Sequence, residues 1–204
     1  MKPRTHKSRK DKKPPATDPA SLYDAAVRSL ARRARSSGEV RSLLARRKAA
    51  PADVEAAIQR LREHGYLDDE RFARSFVASR VENDLHGRVR VRRDLALRRV
   101  RPEIADEAVR KGFDPLDEAN LLREHLRRKV RISRSLDKPS KVQALHRRLL
   151  RAGFRSDTII GELKRLLRVP SQRASDDGSD GSDGEPLRWD ELLDSLAETE
   201  EPGE

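Results

Sequence analysis

The sequence predicts an all-α protein: an elongated, curved array of three tandem three-helix repeats, with a disordered basic N-terminal extension and a disordered acidic C-terminal extension. Three observations lead to this prediction. Apolar residues recur three and four positions apart, which is the helical period. The apolar pattern repeats along the chain, and no segment alternates like a half-buried strand. With 35% hydrophobic, 3% aromatic and 40% charged residues, the chain can fill only thin cores between stacked helices.

An internal repeat is visible at a fixed spacing. Five apolar positions of the first copy have counterparts in the third copy, each 105 residues further along. In the second copy Leu95 and Val100 lie 51 positions after Leu44 and Ala49, and Ile104 lies 50 positions after Val54, so one residue is deleted between them. The matched pairs are Leu44 with Leu149, Ala49 with Phe154, Val54 with Ile159, Ile58 with Leu163 and Leu61 with Leu166.

The first repeat is predicted to span residues 21–66, with helices at 22–33, 39–47 and 51–64. Ser36 and Glu39 have the spacing of a capping box, in which each side chain satisfies a backbone amide at a helix start. Pro51 suits a first helical turn, where no amide hydrogen is needed. Gly65 is typical of a helix C-terminus because it enters the left-handed conformation without steric cost.

The second repeat is predicted at residues 67–113, with helices at 68–80, 88–98 and 102–111. It begins within GYLDDERFARSFVASR, residues 65–80, where Asp68, Asp69 and Glu70 cap a new helix and offset its dipole. The spacing of the following apolar residues puts them on one stripe. We therefore predict a core at this junction that contains Tyr66, Leu67, Phe72 and Phe76.

The third repeat is predicted at residues 114–170, with helices at 115–131, 139–152 and 157–168. Asp114 before Pro115 is a favourable helix start, and Pro139 is placed to open the next helix. Gly112 and Gly153 follow basic residues or helix ends, as C-terminal glycines do.

The two extensions have opposite charge. Residues 1–20 form a basic arm without apolar periodicity, and residues 1–15 alone carry a net charge of +6. Residues 171–204 form an acidic linker followed by a short amphipathic helix, and residues 174–204 carry −11. This C-terminal segment has three interpretations: a lid that docks on the basic repeats, a docking peptide for another protein, or an inert tail. The helix contains Leu187, Trp189, Leu192, Leu193 and Leu196.

The repeats between these extensions carry a net charge of +16, which is typical of a protein that binds nucleic acid or an acidic protein groove. An arginine-rich composition that merely keeps the helices soluble is the competing interpretation. The densest cluster, in residues 86–101, has Val89, Leu95, Arg99 and Val100 as its predicted inner side. We predict that the clusters line one face of the array. The candidate partner-binding residues are Arg88, Arg90, Arg92, Arg93, Arg98, Arg127, Arg128, Arg131, Arg147, Arg148 and Arg151, with Lys129 beside them.

No pattern in the sequence indicates catalysis, a metal site or a cofactor. The chain has no cysteine and no phosphate-binding glycine loop, and its aspartates lack the order of a calcium loop. No apolar run is long enough for a membrane span or a secretion signal, so we expect a cytoplasmic protein. The histidines are isolated from one another, and most of them are expected at the surface or at helix ends: His6, His64, His86, His125 and His146.

Four segments in order resemble the RecX family. Besides the junction at 65–80, GEVRSLLARR (38–47), HGRVRVRRDL (86–95) and LLRAGFRSDTIIGEL (149–163) are similar to its successive repeats. The resemblance implies three tandem three-helix repeats that lodge, as a monomer, in the groove of the RecA filament on single-stranded DNA. It further implies that the protein suppresses the ATPase and strand exchange of RecA, and so modulates recombinational repair and the SOS response.

Two features depart from the family pattern. Lys48 and Arg99 stand where the family usually has glycine, and only Gly153 is kept, so the helices before them are expected to cap differently. The segment from Ser175 onward has no counterpart. Two alternatives stay open: a stand-alone helical protein that binds DNA or RNA independently of RecA, and a scaffold that bridges two proteins.

Overall fold

Helices make up the regular structure of the described part of the chain, and no strand occurs in it, so the predicted all-α class is confirmed. The computed structural model describes residues 19–114, 117–130, 136, 138–168 and 189–198. The predicted basic arm and acidic linker lie almost wholly outside these residues. The helices are α1 (Pro19–Arg32), α2 (Ser37–Ala45), α3 (Pro51–Glu63), α4 (Asp69–Ser79), a π-helix (Arg80–Asp84), α5 (Arg88–Leu97), α6 (Pro102–Phe113), α7 (Glu118–Lys129), α8 (Pro139–Ala152), α9 (Ser156–Arg168) and α10 (Trp189–Glu198).

The chain divides into two compact units. The first contains the described residues up to Phe72 together with Arg98–Arg101, and the second contains Ala73–Leu97 and the residues from Pro102 onward. The repeat boundaries proposed from the sequence remain a prediction.

In the first unit, α1, α2 and α3 pack around a small aliphatic core, because each helix has its apolar residues on one side. The Ser36 hydroxyl accepts a hydrogen bond from the Glu39 amide at 3.1 Å, and the Glu39 carboxylate accepts one from the Ser36 amide at 3.3 Å. The capping box predicted at α2 is therefore confirmed. The fully or almost fully buried core residues are Leu22, Ala26, Val40, Leu44, Ile58 and Leu61.

Tyr66 does not join a core, contrary to the prediction. Its side chain is 53% exposed and meets the edge of Tyr23, with 6.5 Å between the ring centres. The exposed Gly65, at φ 71, ends the turn after α3, and only the next apolar residue, Leu67, reaches the interior. Phe72 and Phe76 on α4 are half-buried.

In the second unit, α4 passes into the π-helix, which ends at Leu85 in the left-handed conformation with φ 54. Helices α5 and α6 pack together, with Leu95 and Phe113 buried. Gly112 does not end α6, contrary to the prediction, but lies within its last turn. A side chain there would overlap Val77 of α4, so the glycine permits close approach of the two helices.

Helices α7, α8 and α9 form the largest core, which includes Leu122, Leu149 and Leu163. Helix α8 has the bounds predicted for it and ends at Gly153, with φ 90. Helix α7 begins three residues later than predicted, because the side chain of Asp117, not of Asp114, accepts from the backbone at its start.

The predicted C-terminal amphipathic helix is confirmed as α10, which packs on α9 and α8. Leu193 is fully buried in the core of these helices, and Lys164 Nζ lies 2.8 Å from the Asp194 carboxylate. Packing of α10 on its own chain is what the lid interpretation requires. Competition of α10 with a partner remains a prediction.

The turns that follow α2, α5 and α8 each contain one residue with a positive φ. Lys48 has φ 59 and Arg99 has φ 57, in the same left-handed region as Gly153. The expectation that the helices before the glycine replacements cap differently is confirmed for α2, whose C-cap is Arg46 with φ −63, whereas the C-cap of α8 is the left-handed Gly153. The two side chains are accommodated at a steric cost of about 1–2 kcal/mol each.

Replacing Lys48 with glycine is expected to raise the free energy of unfolding by about 0.5–1 kcal/mol, because relief of the left-handed strain exceeds the added entropy of the unfolded chain. Urea unfolding measures this. Ala56→Gly, on the exposed face of α3, is the control and should instead lose about 1 kcal/mol. A loss of stability in both variants would contradict the strain at Lys48.

Replacing Leu193 with alanine is expected to loosen α10, because a fully buried leucine typically contributes about 2–5 kcal/mol. Trp189 lies on α10 and is the single tryptophan of the chain, so its fluorescence reports on docking. Its emission should move to longer wavelength. Ala197→Ser, at an exposed position of the same helix, should leave the emission unchanged.

Candidate polyanion-binding surface

Helix α5 carries the densest basic cluster, and its inner face differs from the predicted one. Val91 and Leu95, four residues apart, are both fully buried, whereas Val89 is 56% exposed and Arg99 is also exposed. Val100 is buried as predicted. The arginines on the outward side of α5 are consequently a smaller set than the sequence indicated.

Arg88 points into the protein rather than outward. Its guanidinium lies over the ring of Phe113, 5.6 Å from the ring centre, and its Nε is 3.3 Å from the Glu118 carboxylate. Burial raises the pKa of Glu118, and the charge of Arg88 offsets this only in part. Arg88 therefore supports the packing of α5 and is a poor candidate for contact with a partner.

Arg92 and Arg93 are exposed on α5. Arg92 forms a two-pronged pair with Asp106 on α6, and this pairing lowers the pKa of the carboxyl. Arg93 has no hydrogen bond or ion pair with any residue that the structure describes. A pair between two exposed side chains contributes little to stability, so an external phosphate can replace Asp106.

Arg98 belongs to the first unit and is paired within it. Its Nη1 donates to the Glu39 carboxylate at 3.0 Å, and its carbonyl accepts from the Ser36 hydroxyl. Burial alone would raise the pKa of Glu39, but hydrogen bonds from Arg98 and Arg33 outweigh it and lower the pKa. Arg98 thus ties the turn after α5 to the start of α2.

The basic residues at the end of α7 and along α8 form the remaining clusters. Arg127 and Arg128 share the Glu124 carboxylate, and Arg148 Nη2 donates to the Lys129 carbonyl at 2.7 Å. In contrast, the side chains of Arg147 and Arg151 are exposed and make no hydrogen bond or ion pair within the described part of the chain. Arg131 lies outside the described residues.

A backbone joint holds the start of α5 against the end of α8. The Gly87 amide donates to the Ala152 carbonyl at 3.0 Å, and the Val89 amide donates to the Gly153 carbonyl at 3.1 Å. A Cβ on Gly87 would overlap the Gly153 carbonyl, so only glycine fits this approach. Arg90 is fixed as a result, and its Nη1 lies 3.4 Å from the Arg151 carbonyl.

A second contact ties the same segment to α7. The left-handed backbone of Leu85 presents its carbonyl to His125 Nδ1, at 2.9 Å. Because a carbonyl only accepts, Nδ1 of His125 carries the proton. The ring packs edge-on against Phe154, with 5.3 Å between ring centres, and His125 is only 7% exposed.

These contacts border a cavity of about 320 Å³ in the second unit, which is open to solvent. Its polar lining consists of four cations, two imidazoles and one carboxylate. Since cations outnumber the carboxylate, the cavity has a positive potential that favours an anion. The lining side chains are Arg90, Lys129, Arg148, Arg151, His86, His125 and Asp84.

The surroundings lower the pKa of both imidazoles, which favours their neutral form. Burial lowers the pKa of His125, and the charges of Arg148, Lys129 and Arg90 lower it further against the hydrogen bond to Leu85. Burial and the charge of Arg90 also lower the pKa of His86. The carboxyl of Asp84 pairs with Arg80, which lowers its pKa, so it stays ionised.

The structure therefore brings together only some of the arginines that were predicted to bind a partner. Arg90, Arg148 and Arg151 meet at the cavity, whereas Arg88, Arg92, Arg93, Arg127, Arg128 and Arg147 do not line it. The sequence reasoning missed His86 and His125 as members of the site, and His125 and His146 are exceptions to the expected exposure of the histidines, since both are buried. The only local indication of the site in the sequence was the position of His86, directly before Gly87 and the start of α5.

The described residues contain no group of three or more histidine, cysteine, aspartate or glutamate side chains placed to hold a metal ion. Among the same residues, no helix combines the length and the apolar composition of a membrane span.

Comparison with known proteins connects this architecture to one family. Residues 23–61 match the family description "RecX, first three-helix domain", and residues 68–109 match "RecX, second three-helix domain". A Regulatory protein RecX from Trichlorobacter lovleyi is 30% identical over 148 residues, which cover 71% of this chain and 94% of the relative. The chain belongs to the RecX family.

Other RecX proteins match over shorter stretches. The relative from Halorhodospira halophila is 40% identical over 105 residues, 51% of this chain and 65% of the relative. The one from Chromohalobacter salexigens is 39% identical over 46% of this chain and 61% of its own length. The chain thus aligns with slightly less than two thirds of these relatives.

The fold agrees with solved RecX structures. RecX from Lactobacillus salivarius superposes with a TM-score of 0.60 at 21% identity, covering 74% of this chain and 98% of that structure. Another RecX crystal structure gives a TM-score of 0.61, also at 21% identity, over 72% of this chain and 71% of that one. At this identity the likeness concerns the fold alone.

Replacing Gly87 with alanine is expected to destabilise the protein by about 2 kcal/mol or more, because the new Cβ must displace the Gly153 backbone. Gly161→Ala is the matched control. It lies inside α9 with nothing within 4 Å of the new atom, so it should gain about 1 kcal/mol from helix propensity. Urea unfolding of both variants tests the joint, and equal effects would contradict it.

Proposed function

We propose that this chain regulates a RecA recombinase. On this proposal it lies in the groove of the RecA filament on single-stranded DNA, suppresses the ATPase and strand exchange of RecA, and thereby modulates recombinational repair and the SOS response. It acts as a cytoplasmic monomer and catalyses no reaction. The observation that carries the proposal is membership of the RecX family, with a relative aligned over 94% of its length.

The charge of the exposed helices supports this function. Arg92 and Arg93 project from α5, and the clusters of α7 and α8 add further cations. Guanidinium groups bind phosphate oxygens in a two-pronged manner, as Arg92 binds the Asp106 carboxylate. A helical surface of this kind suits a filament that contains DNA, since binding to phosphates depends on charge and needs no base sequence.

The proposal is tested by titrating the protein against the ATPase of the cognate RecA on single-stranded DNA. We expect inhibition at well below one protein per RecA. The variant Arg92→Gln/Arg93→Gln should need roughly tenfold more protein for the same inhibition, because two phosphate-binding cations are removed. The control Arg110→Gln/Lys111→Gln removes two exposed cations of α6 and should inhibit like the parent protein.

Binding to naked DNA is measured in parallel and separates the alternatives. No inhibition at saturation, together with tight DNA binding, would replace the proposal with a nucleic-acid-binding protein that acts independently of RecA. Equal weakening by the two double variants would mean that total charge decides the interaction, and the role assigned to the outward face of α5 would be withdrawn.

A further inference from the structure

The basic cavity between the start of α5 and the ends of α7 and α8 is not explained by the packing of the fold. A core needs no concentration of cations, and like charges placed together cost free energy unless an anion joins them. Arg90, Lys129, Arg148 and Arg151 nevertheless line one space of about 320 Å³, with Asp84 as the single carboxylate of the described lining.

We propose that this cavity is a binding site for a phosphate group, held by the side chains of Arg90, Lys129, Arg148 and Arg151. The site is a property of the isolated protein. It goes beyond the regulation of RecA and does not depend on it.

The walls of the cavity are built before any ligand arrives. The joint between Gly87 and the end of α8 fixes the backbone of Arg90, and the hydrogen bond from Arg148 to the Lys129 carbonyl fixes α8 against the end of α7. A preformed site loses little side-chain entropy when a ligand binds. The backbone positions of the four cationic residues are therefore set without the ligand, while the exposed side chain of Arg151 is free to close on it.

Two buried nitrogen atoms at the cavity support a polar ligand. His86 Nδ1 and Arg90 Nε have no hydrogen-bond partner within the described part of the chain. Arg90 Nε forms an ion pair with the Asp94 carboxylate at 3.8 Å, which is too long for a hydrogen bond. Buried polar atoms are normally satisfied, so these two atoms indicate a missing partner. An arginine nitrogen only donates, which requires an acceptor such as a phosphate oxygen.

The composition of the lining favours phosphate over other ligands. A metal cation is disfavoured by the four positive charges, and the two imidazoles are the aromatic rings of the described lining, so no tyrosine or tryptophan there offers a stacking surface for a base. Three guanidinium groups and an ammonium match the several oxygens of one phosphate, whereas a carboxylate offers two. The volume is at the small end of ligand sites.

Titration with phosphate, monitored by nuclear magnetic resonance of the histidines, tests the site on the full chain. The ring C–H signals of the five histidines are assigned by substituting each in turn, and sodium phosphate is added while sodium chloride keeps the ionic strength constant. We expect saturable shifts of His86 and His125 and no shift of His64, which lies in the first unit. Bound phosphate should also raise the pKa of both cavity histidines, against the lowering by burial and by Arg90, Arg148 and Lys129.

Arg151→Gln and Arg147→Gln form a matched pair of variants, since both arginines are exposed on α8 and only Arg151 lines the cavity. Arg151→Gln should weaken phosphate binding roughly tenfold, as expected for loss of a charge-assisted hydrogen bond. Arg147→Gln should leave it unchanged. Shifts that stay linear in phosphate, or equal weakening by both variants, would overturn the site and leave only general screening.

Competition identifies the source of the phosphate group. Displacement of phosphate only by a 5′-phosphorylated oligonucleotide indicates a strand end, and equal displacement by a 5′-hydroxyl oligonucleotide indicates an internal phosphodiester. Displacement by a mononucleotide but by neither oligonucleotide indicates a free nucleotide. Each of these results upholds the site, whereas failure of all three competitors would overturn it as a ligand site. None of the measurements contains RecA, so their failure is distinct from failure of the proposed regulation.

Discussion

The close approach of the backbone at Gly87 to the backbone at Gly153 is the constraint on which the second unit depends. With no side chain between them, two amides at the start of α5 reach the carbonyls that α8 leaves unpaired at its end. The first unit has a similar close approach, in which Gly38 lies against the backbone of Arg99. A small residue at the start of one helix and a left-handed residue after another thus recur as a pair. The position of the basic cavity, though not its concentration of cations, follows from this packing.

The sequence predicted most of the helices because their signals are local. A capping box, a proline in the first turn and a glycine after the last turn each act within a few residues, as at Ser36, Pro139 and Gly153. The errors arose where two local signals competed. Asp117 rather than Asp114 caps α7, and Gly112 resembles a C-terminal glycine but is needed inside α6 for close packing.

The candidate site was harder to predict because its members meet only through tertiary packing. On α5 the apolar residues are few, and the prediction placed Val89 inward although Val91 has the four-residue spacing to the buried Leu95. His86 and His125 are 39 residues apart in sequence, and nothing near either one indicates the other. Their convergence depends on the turn at Leu85 and on the packing of α7. The clustering of arginines was visible in the sequence. Which arginines pair with carboxylates and which line the cavity could not be predicted from it.

The number of residues in the π-helix Arg80–Asp84 determines where the cavity-lining residues that follow it are placed. A π turn closes around one more residue than an α turn, so loss of one residue there would restore an ordinary helix and rotate the residues beyond it by about 100°. Leu85 and His86 come directly after this turn. Single-residue insertions and deletions between 80 and 84 are therefore constrained more tightly than substitutions, because a length change would redirect the Leu85 carbonyl away from His125 while the core side chains of α4 stayed in place.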